Sequence, residues 1–327
     1  MNVFFQVVFH ALISSNTWQT TLEFAALLLL PALGGVISER SGVVNIAMEG
    51  MMLAGAFASV MVTLGVNHFG LPSAVSVICG LLAAIIAGGL MALLHAYFSI
   101  QFKIDQIVSG VAINIIALGL TSYLLFEIVP VGVPSLPDRL RLPVPPLGPL
   151  ANIPFLGPVF FQQNVIFYVA VALLFIVQFV LFRTNIGLRI RAVGEHPQAA
   201  DTAGVNVRLL RYLCVVSSGL LSGLGGAYLA LGVAGVFNPN MTNGRGFIAL
   251  AAVVFGKYIP LGAAGACLIF GLGIALSYAL QGLGSSANIS NLLNTLPYIF
   301  TLVALVGLVG RTTPPAADGI PYEPGSE

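Results

Sequence analysis

Charge is the scarcest feature of this sequence. Twelve Lys and Arg with eleven Asp and Glu amount to 7% of 327 residues, against about 25% in an ordinary soluble domain. So few charges cannot solvate the surface of a globule of this size. From Gly50 to Phe102, and again from Tyr258 to Gly310, there is no Asp, Glu, Lys or Arg at all. Each stretch holds 53 residues, and a helix needs roughly 20 to cross a bilayer, so each has room for two spans. The apolar runs are continuous and do not alternate, which excludes a transmembrane barrel and leaves helices that satisfy their own backbone.

Other shortages narrow the chemistry. Cys79, Cys214 and Cys267 each lie inside an apolar run, which reads as core packing and not as a disulfide or metal site. His10, His68, His95 and His196 share no ligand spacing, and no paired carboxylates or nucleophile–base set accompanies them. Chemistry inside the membrane, a metal and a cofactor are therefore not expected. A net charge of +1 argues against nucleic acid as the main ligand. No Lys or Arg precedes Arg40, so the first apolar segment lacks the basic lead of a cleaved signal peptide and is expected to stay.

What is present is hydrophobicity: 58% of residues, with a mean hydropathy of +1.00. Apolar runs bounded by Gly, Pro and charge predict spans near 18–37, 50–66, 72–98, 106–130, 164–182, 210–232, 260–281 and 292–310. The run 246–257 is short for a crossing and reads as a tilted or half-inserted helix; residues 3–13 form another short apolar stretch. The fold class is thus an all-α polytopic membrane protein of about nine transmembrane helices, with eight to ten allowed. If 18–37 runs inward and 246–257 counts as a crossing, nine of the twelve basic residues fall on the cytoplasmic side. Only Arg139, Arg141 and Arg245 fall outside, in keeping with the positive-inside bias. The Pro-rich segment 130–158 then forms an extracytoplasmic loop, its prolines imposing extended and turn structure. The polar, Pro-containing residues 311–327 read as a disordered cytoplasmic tail.

The connector from Arg183 to Arg211 holds five of the twelve basic residues and is longer than two neighbouring spans require. Glu195 or His196 suits an N-cap, Pro197 the first helical position and Gly204 the C-terminal stop. Between them Gln198 to Ala203 make about two helical turns with small apolar residues on one face. A short helix exposed to cytosol must bury that face against something; the alternative is a basic loop on anionic lipid. No phosphate-binding loop is present: the single Gly256-Lys257 pair is followed by Tyr258, and Ala251 stands where the first glycine is needed. Ionisable groups at membrane depth, which an ion-coupled carrier requires, are few: Glu23 and Glu127 sit near predicted outer ends, Asp105 at an inner end beside Lys103, and Glu49 alone lies deeper. Uphill transport would draw its energy from another subunit.

Here the residues carry a family resemblance. The stretch GLRIRAVGEHPQAADTAGV is similar to the cytoplasmic coupling segment of ATP-binding cassette importer permeases of the ribose and branched-chain amino acid group. ISERSGVVNIAMEGMMLAGAF, Ile37 to Phe57, resembles the nucleoside-uptake branch, in the form of the shorter of its two permeases. The resemblance covers about Thr20 to Gly310. It implies that residues 1–310 form a permease domain in the cytoplasmic membrane of a prokaryote, with 184–208 as coupling loop. Glu195, His196, Pro197, Gln198, Ala199, Asp201 and Gly204 would then face the ATPase. The implied partners are a fused double ATPase, a second, homologous permease subunit and a substrate-binding lipoprotein, and the implied cargo is a nucleoside. A ribose-like sugar or a branched-chain amino acid is the alternative cargo, and an ion-coupled secondary transporter the alternative class.

Polar residues inside the spans admit two readings each. Asn45 and Glu49 are four apart and share a helix face. They either line a solute path or belong to a turn, with Glu49 at a helix N-terminus. Asn114, in AINIIALGL, needs a partner because an unpaired amide in an apolar medium costs roughly 2–7 kcal/mol; that partner is a neighbouring helix or the solute. Asn240, Asn243, Arg245 and Phe247, in FNPNMTNGRGF, either face the solute from outside, Phe247 stacking on a base, or belong to an external turn with Arg245 at the interface. LPALGG (Leu30 to Gly35) and LSGLGG (Leu221 to Gly226) precede the two polar breaks in spans of opposite direction, which suggests an inverted repeat.

Overall fold

The computed structural model describes residues 12–281 and 312–323; these are helical, without a strand, apart from one isolated bridge pairing Ser135 with Val236. In chain order the helices are α1 (Ser15–Glu39), α2 (Met48–His68), α3 (Ser73–Ala96), α4 (Gln106–Ile128), α5 (Val165–Arg183), α6 (Asn185–Glu195), α7 (Pro197–Thr202), α8 (Val207–Ala227), α9 (Arg245–Phe255) and α10 (Pro260–Gln281). Wide turns extend α3 over Tyr97–Gln101 and α8 over Tyr228–Ala234. Seven of the described helices are long and apolar enough to cross a membrane: α1, α2, α3, α4, α5, α8 and α10. They match the first seven predicted spans, while 292–310 and most of 3–13 lie outside the described residues.

Polar residues at the ends of the apolar runs act as caps. Asp105 accepts from the Ile107 and Val108 amides to open α4, Asn164 from Ile166 and Phe167 to open α5, and Asn206 from Leu209 to open α8. Each span then shows where its neighbours lie. On α3, Ile78, Leu82, Ile86 and Leu90 recur every four residues and stay exposed, an apolar stripe suited to lipid. The stripe Gly80, Ala84, Gly88 and Ala92 is buried. It meets α8 at Gly219 and Gly223, and α2 meets α8 at Gly55. A Cβ on Gly55 would stand 2.6 Å from the Gly223 Cα, so backbones touch where the small residues are, the usual packing in membranes.

Two breaks interrupt this bundle, one over 40–47 and one over 235–244. α9 has 11 residues, roughly 16 Å at 1.5 Å per residue, half of a hydrocarbon core of about 30 Å. Arg40, beyond the end of α1, donates to the carbonyls of Tyr258 (2.7 Å) and Lys257 (3.4 Å), so α9 ends where α1 ends. Segment 235–255 returns the chain across the bundle as an irregular half followed by a helical half. Arg245 accordingly does not lie outside, as the charge count had placed it; its guanidinium sits 5.7 Å from the Phe24 ring centroid, well within α1. α1 packs along α10 as α8 packs along α3, and each of α1 and α8 leads into a break.

The Pro-rich segment is built as extended chain and short turns, as expected. Leu136, Leu140 and Leu142 drop into the core, and the Leu136 and Leu142 amides donate to the Gly235 and Leu231 carbonyls. At the opposite, basic end, residues 312–323 are ordered where the sequence predicts disorder. Their composition gives them no core of their own, but the bundle supplies one: Ala317 and Tyr322 are buried and the Ala317 amide donates to the Gly194 carbonyl (2.8 Å). Burial pushes the Asp318 carboxyl up to about 7, against the opposing pull of the Arg211 guanidinium and the Gly319 amide. Glu39 at the end of α1 and Tyr258 join Arg211 of α8 in its charged and titratable surroundings.

A free tail releases the Asp318 proton near the ordinary 3.8, so between that value and about 7 the docked tail holds a proton that the free tail has lost. Docking is therefore strongest in acid and weakens as pH rises through this window. A nitroxide on Ile320→Cys, in a Cys79→Ala background, should show a larger immobilised fraction at about pH 6 than at about pH 8. Asp318→Asn should flatten that difference.

Candidate solute path and coupling surface

The first break is held in place by side chains of three spans. Gln106 Oε1 accepts the Val44 amide (2.6 Å). His95 Nε2 lies 3.1 Å from the Val44 carbonyl and its Nδ1 3.0 Å from Ser109 Oγ. A carbonyl only accepts, so Nε2 carries the proton and Nδ1 accepts from the serine. Asn45 accepts the Ala47 amide (3.1 Å) and donates to Ser218 Oγ (2.8 Å). Asn114 accepts the Gly50 amide (2.7 Å) and donates to the Ile46 carbonyl (3.0 Å). The amide in the middle of an apolar run thus closes the backbone of a broken helix, the helix-partner reading of that residue. His95 and Gln106 were not singled out from sequence, because their partners are backbone groups far away in the chain.

The second break turns on left-handed residues. Asn240 and Asn243 have φ of 56° and 43°, and Gly244 82°; asparagine and glycine tolerate this region best. These asparagines therefore have a backbone reason to be where they are. Glu49 joins the two breaks. Its Oε1 accepts the Gly244 amide (2.8 Å) and its Oε2 the Gly246 amide (2.6 Å), while the residue itself lies in the first turn of α2. One buried carboxylate serves the N-termini of α2 and α9 together, where unpaired amides and helix dipoles favour negative charge. The approach is close enough to demand glycine, since a Cβ on Gly246 would lie 2.5 Å from the Glu49 Cα.

Beside this junction lies a cavity of about 530 Å³, lined by Thr20 and Phe24 of α1, Asn238, Met241 and Arg245 of the second break, and Tyr278 of α10, with apolar residues from the end of α8. Its volume is in the usual range for small-molecule sites, ~300–1,000 Å³. Phe24 and Tyr278 stack with ring centroids 5.4 Å apart and planes 13° from parallel, and Arg245 lies over the Phe24 ring. Arg245 is held by donating from Nη1 to the Met241 and Thr242 carbonyls (3.2 and 3.1 Å). Phe247, 45% exposed, and Asn243 face away from this cavity; the aromatic surfaces in it come from other spans. An aromatic pair beside a guanidinium suits a flat, polar-edged solute.

The coupling candidates sit on the basic end. α7 runs over Pro197–Thr202 with His196 as N-cap and Pro197 at its first position; Gly204 follows at φ 83°. These are the roles read from the sequence. The preceding helix α6 was not anticipated; Thr184 caps it by accepting the Gly187 amide (3.2 Å). The apolar face of α7, Pro197 and Ala200, is buried, and Ala200 packs with Val193, Val207 and Tyr322 of the same chain. Glu195, His196, Gln198, Ala199, Asp201 and Gly204 are exposed. The chain's own surroundings thus cover the apolar face, and a polar, small-residue face is left to solvent.

Replacing Glu49 by Gln keeps the volume but leaves one of two buried amides facing an NH2 group. A hydrogen bond to a charged group contributes about 1.5–3 kcal/mol. The Gly244 and Gly246 amides should exchange with solvent roughly 10–100-fold faster in E49Q, read by hydrogen-exchange mass spectrometry, with α3 and α8 unchanged.

Comparison with known proteins agrees with this architecture. Residues 19–306 match the family described as branched-chain amino acid transport system / permease component. The chain is 48% identical over 312 residues to the guanosine ABC transporter permease protein NupQ of Bacillus subtilis, covering 92% of this chain and 94% of that one. It is 37% identical, with the same coverage, to the nucleoside ABC transporter permease protein NupC of Lactococcus lactis. It is 36% identical to the putative glucose ABC transporter permease protein TsgC13 of Haloferax volcanii, covering 89% of this chain and 91% of that one. The same two bacteria hold second guanosine or nucleoside permease proteins more distantly similar to this chain, at 28% and 23% identity. With a family match and full-length relatives on this scale, the chain belongs to the branched-chain amino acid transport system permease family, as an ABC transporter permease.

Proposed function

We propose that this chain is one of two unlike permease subunits of an importer that carries nucleosides across the cytoplasmic membrane, driven by ATP hydrolysis on a separate double ATPase. The observation that carries the cargo is the 48% identity, end to end, to a guanosine permease. The cavity beside the breaks is of a kind that fits it. Tyr278 offers an accessible ring on which a base can stack, Arg245 a guanidinium of the sort that pairs with the O6/N7 edge of a purine, and Asn238 and Thr20 polar groups for a ribose. Asn45 and Asn114 act in this reading by holding the first break, and Glu49 by joining it to the second, which lines the cavity. Asn243 and Phe247, exposed on the other side of α9, face the second permease or the path between the two subunits. The Pro-rich end receives a substrate-binding lipoprotein, and the basic end faces the cytoplasm. α7 docks the ATPase through Gln198, Ala199 and Asp201, with Glu195, His196, Pro197 and Gly204 shaping its ends.

A sugar is the second reading, favoured by the identity to a putative glucose permease. Stacking separates the two, because a base engages an aromatic face that a monosaccharide uses far less. Tyr278 is 51% exposed, so its removal spares the core. Base–aromatic stacking contributes about 1–3 kcal/mol. In vesicles holding the complete transporter, Tyr278→Ala should raise the apparent KM for guanosine about tenfold, with competition by guanosine and none by glucose. Glucose uptake that guanosine does not inhibit would overturn the nucleoside reading.

The motor contact is tested separately. Ala199→Glu puts a charged side chain on the exposed face of α7. It should leave insertion and basal ATP hydrolysis intact and abolish the stimulation of hydrolysis by loaded binding protein, together with uptake. Normal uptake in this variant would overturn the docking role of α7.

A further inference from the structure

Residues 312–323 meet the basic end at several separate places. The Ala316 amide donates to Glu195 Oε2 (3.2 Å) and the Ala317 amide to the Gly194 carbonyl (2.8 Å), both at the end of α6. Arg211 of α8 donates through Nη1 to the Ile320 carbonyl (2.9 Å) and through Nε to the Ser41 carbonyl (3.1 Å). It bridges the segment to the first break. The fit there is tight: Gly42, at φ 85°, would carry a Cβ 2.9 Å from the Ala317 carbonyl oxygen and 2.7 Å from Arg211 Nη2. Tyr322, 7% exposed, lies against Ala200 of α7, Val193 of α6 and Val207 of α8. Glu323 pairs with Lys103, between α3 and α4.

We propose that residues 314–323 form a strap that ties α7 to the first break, with Tyr322, Ala317 and Arg211 as positioning residues for the coupling of ATP hydrolysis to transport. The inference rests on the reading of α7 as the ATPase dock. A six-residue helix cannot hold itself; α7 is shaped by what covers Ala200, and the largest group there is the Tyr322 ring. The strap then runs without a gap to Ser41 and Gly42. From there the residues bound by His95, Gln106 and Asn114 lead to Glu49 and the N-terminus of α9. A displacement of α7 reaches the cavity through this path by backbone hydrogen bonds and close-packed glycine. Without the strap α7 retains only its covalent links to α6 and α8 and part of its packing.

The test uses the complete transporter in vesicles, comparing the parent with a chain ending at Thr313, with Tyr322→Ala and with Tyr322→Phe. Solute moved per ATP hydrolysed is measured beside the amount of ATPase that copurifies. Both disruptive variants should retain the ATPase and basal hydrolysis while solute per ATP falls at least fivefold. Tyr322→Phe, which keeps the ring, should restore most of it. Parental solute per ATP in Tyr322→Ala overturns the strap, whether or not the truncated chain assembles. If truncation prevents assembly while Tyr322→Ala is uncoupled and Tyr322→Phe rescued, the strap stands. The Ala199→Glu variant separates the two ideas: uncoupling there with parental behaviour in both tail variants removes the strap alone. Normal uptake in Ala199→Glu removes the docking reading on which the strap rests.

Discussion

Everything near the centre of this bundle depends on how broken helices satisfy their backbone in lipid. An interrupted span exposes amides and carbonyls that water cannot reach, and each left unpaired costs several kcal/mol. The two breaks meet at Glu49, whose carboxylate accepts the Gly244 and Gly246 amides from within the first turn of α2. A carboxamide has one acceptor oxygen where the two amides at the start of α9 use two, and a charge with fewer partners would itself be costly to bury. The requirement is mutual: the irregular backbone makes the buried carboxylate tolerable, and the carboxylate makes the irregular backbone tolerable.

That junction explains the cavity. Because 235–244 is not helical, the chain between α8 and α9 does not fill the space a continuous span would occupy, and Phe24, Tyr278 and Arg245 line what remains. Around it the spans are drawn together at backbone contact by Gly55, Gly88, Gly219, Gly223 and Gly226. Small-residue contacts of this kind make rigid helix pairs, with few side-chain rotamers to rearrange.

Much of this was legible in the sequence, for identifiable reasons. The spans follow from continuous apolar runs, since lipid imposes length and composition together. Pro197 and Gly204 mark α7 because a missing amide and a left-handed residue have few other uses. Asn114 announced that it needed a partner, but the partner is the backbone of another break, which no local pattern reveals. Arg245 was placed outside because charge ordinarily marks a span's end; the half-length of α9 and the Phe24 ring that receives the guanidinium lie in separate parts of the chain. The same holds for His95, Gln106 and the ordered tail, whose roles exist only once distant segments are side by side.

The polar inventory of the junction also constrains how cargo is handled. Asn45, Glu49, Asn114, Gln106 and His95 are committed to backbone or neighbouring side chains, so few fixed donors and acceptors remain for a solute. The cavity offers instead two stacked rings, one guanidinium already half-occupied by the carbonyls of its own loop, and scattered amide and hydroxyl groups. Such a lining offers the proposed cargo a flat face and few fixed hydrogen bonds, which suits a path that a solute must also leave. The permease's own polar groups serve to keep two broken segments facing each other.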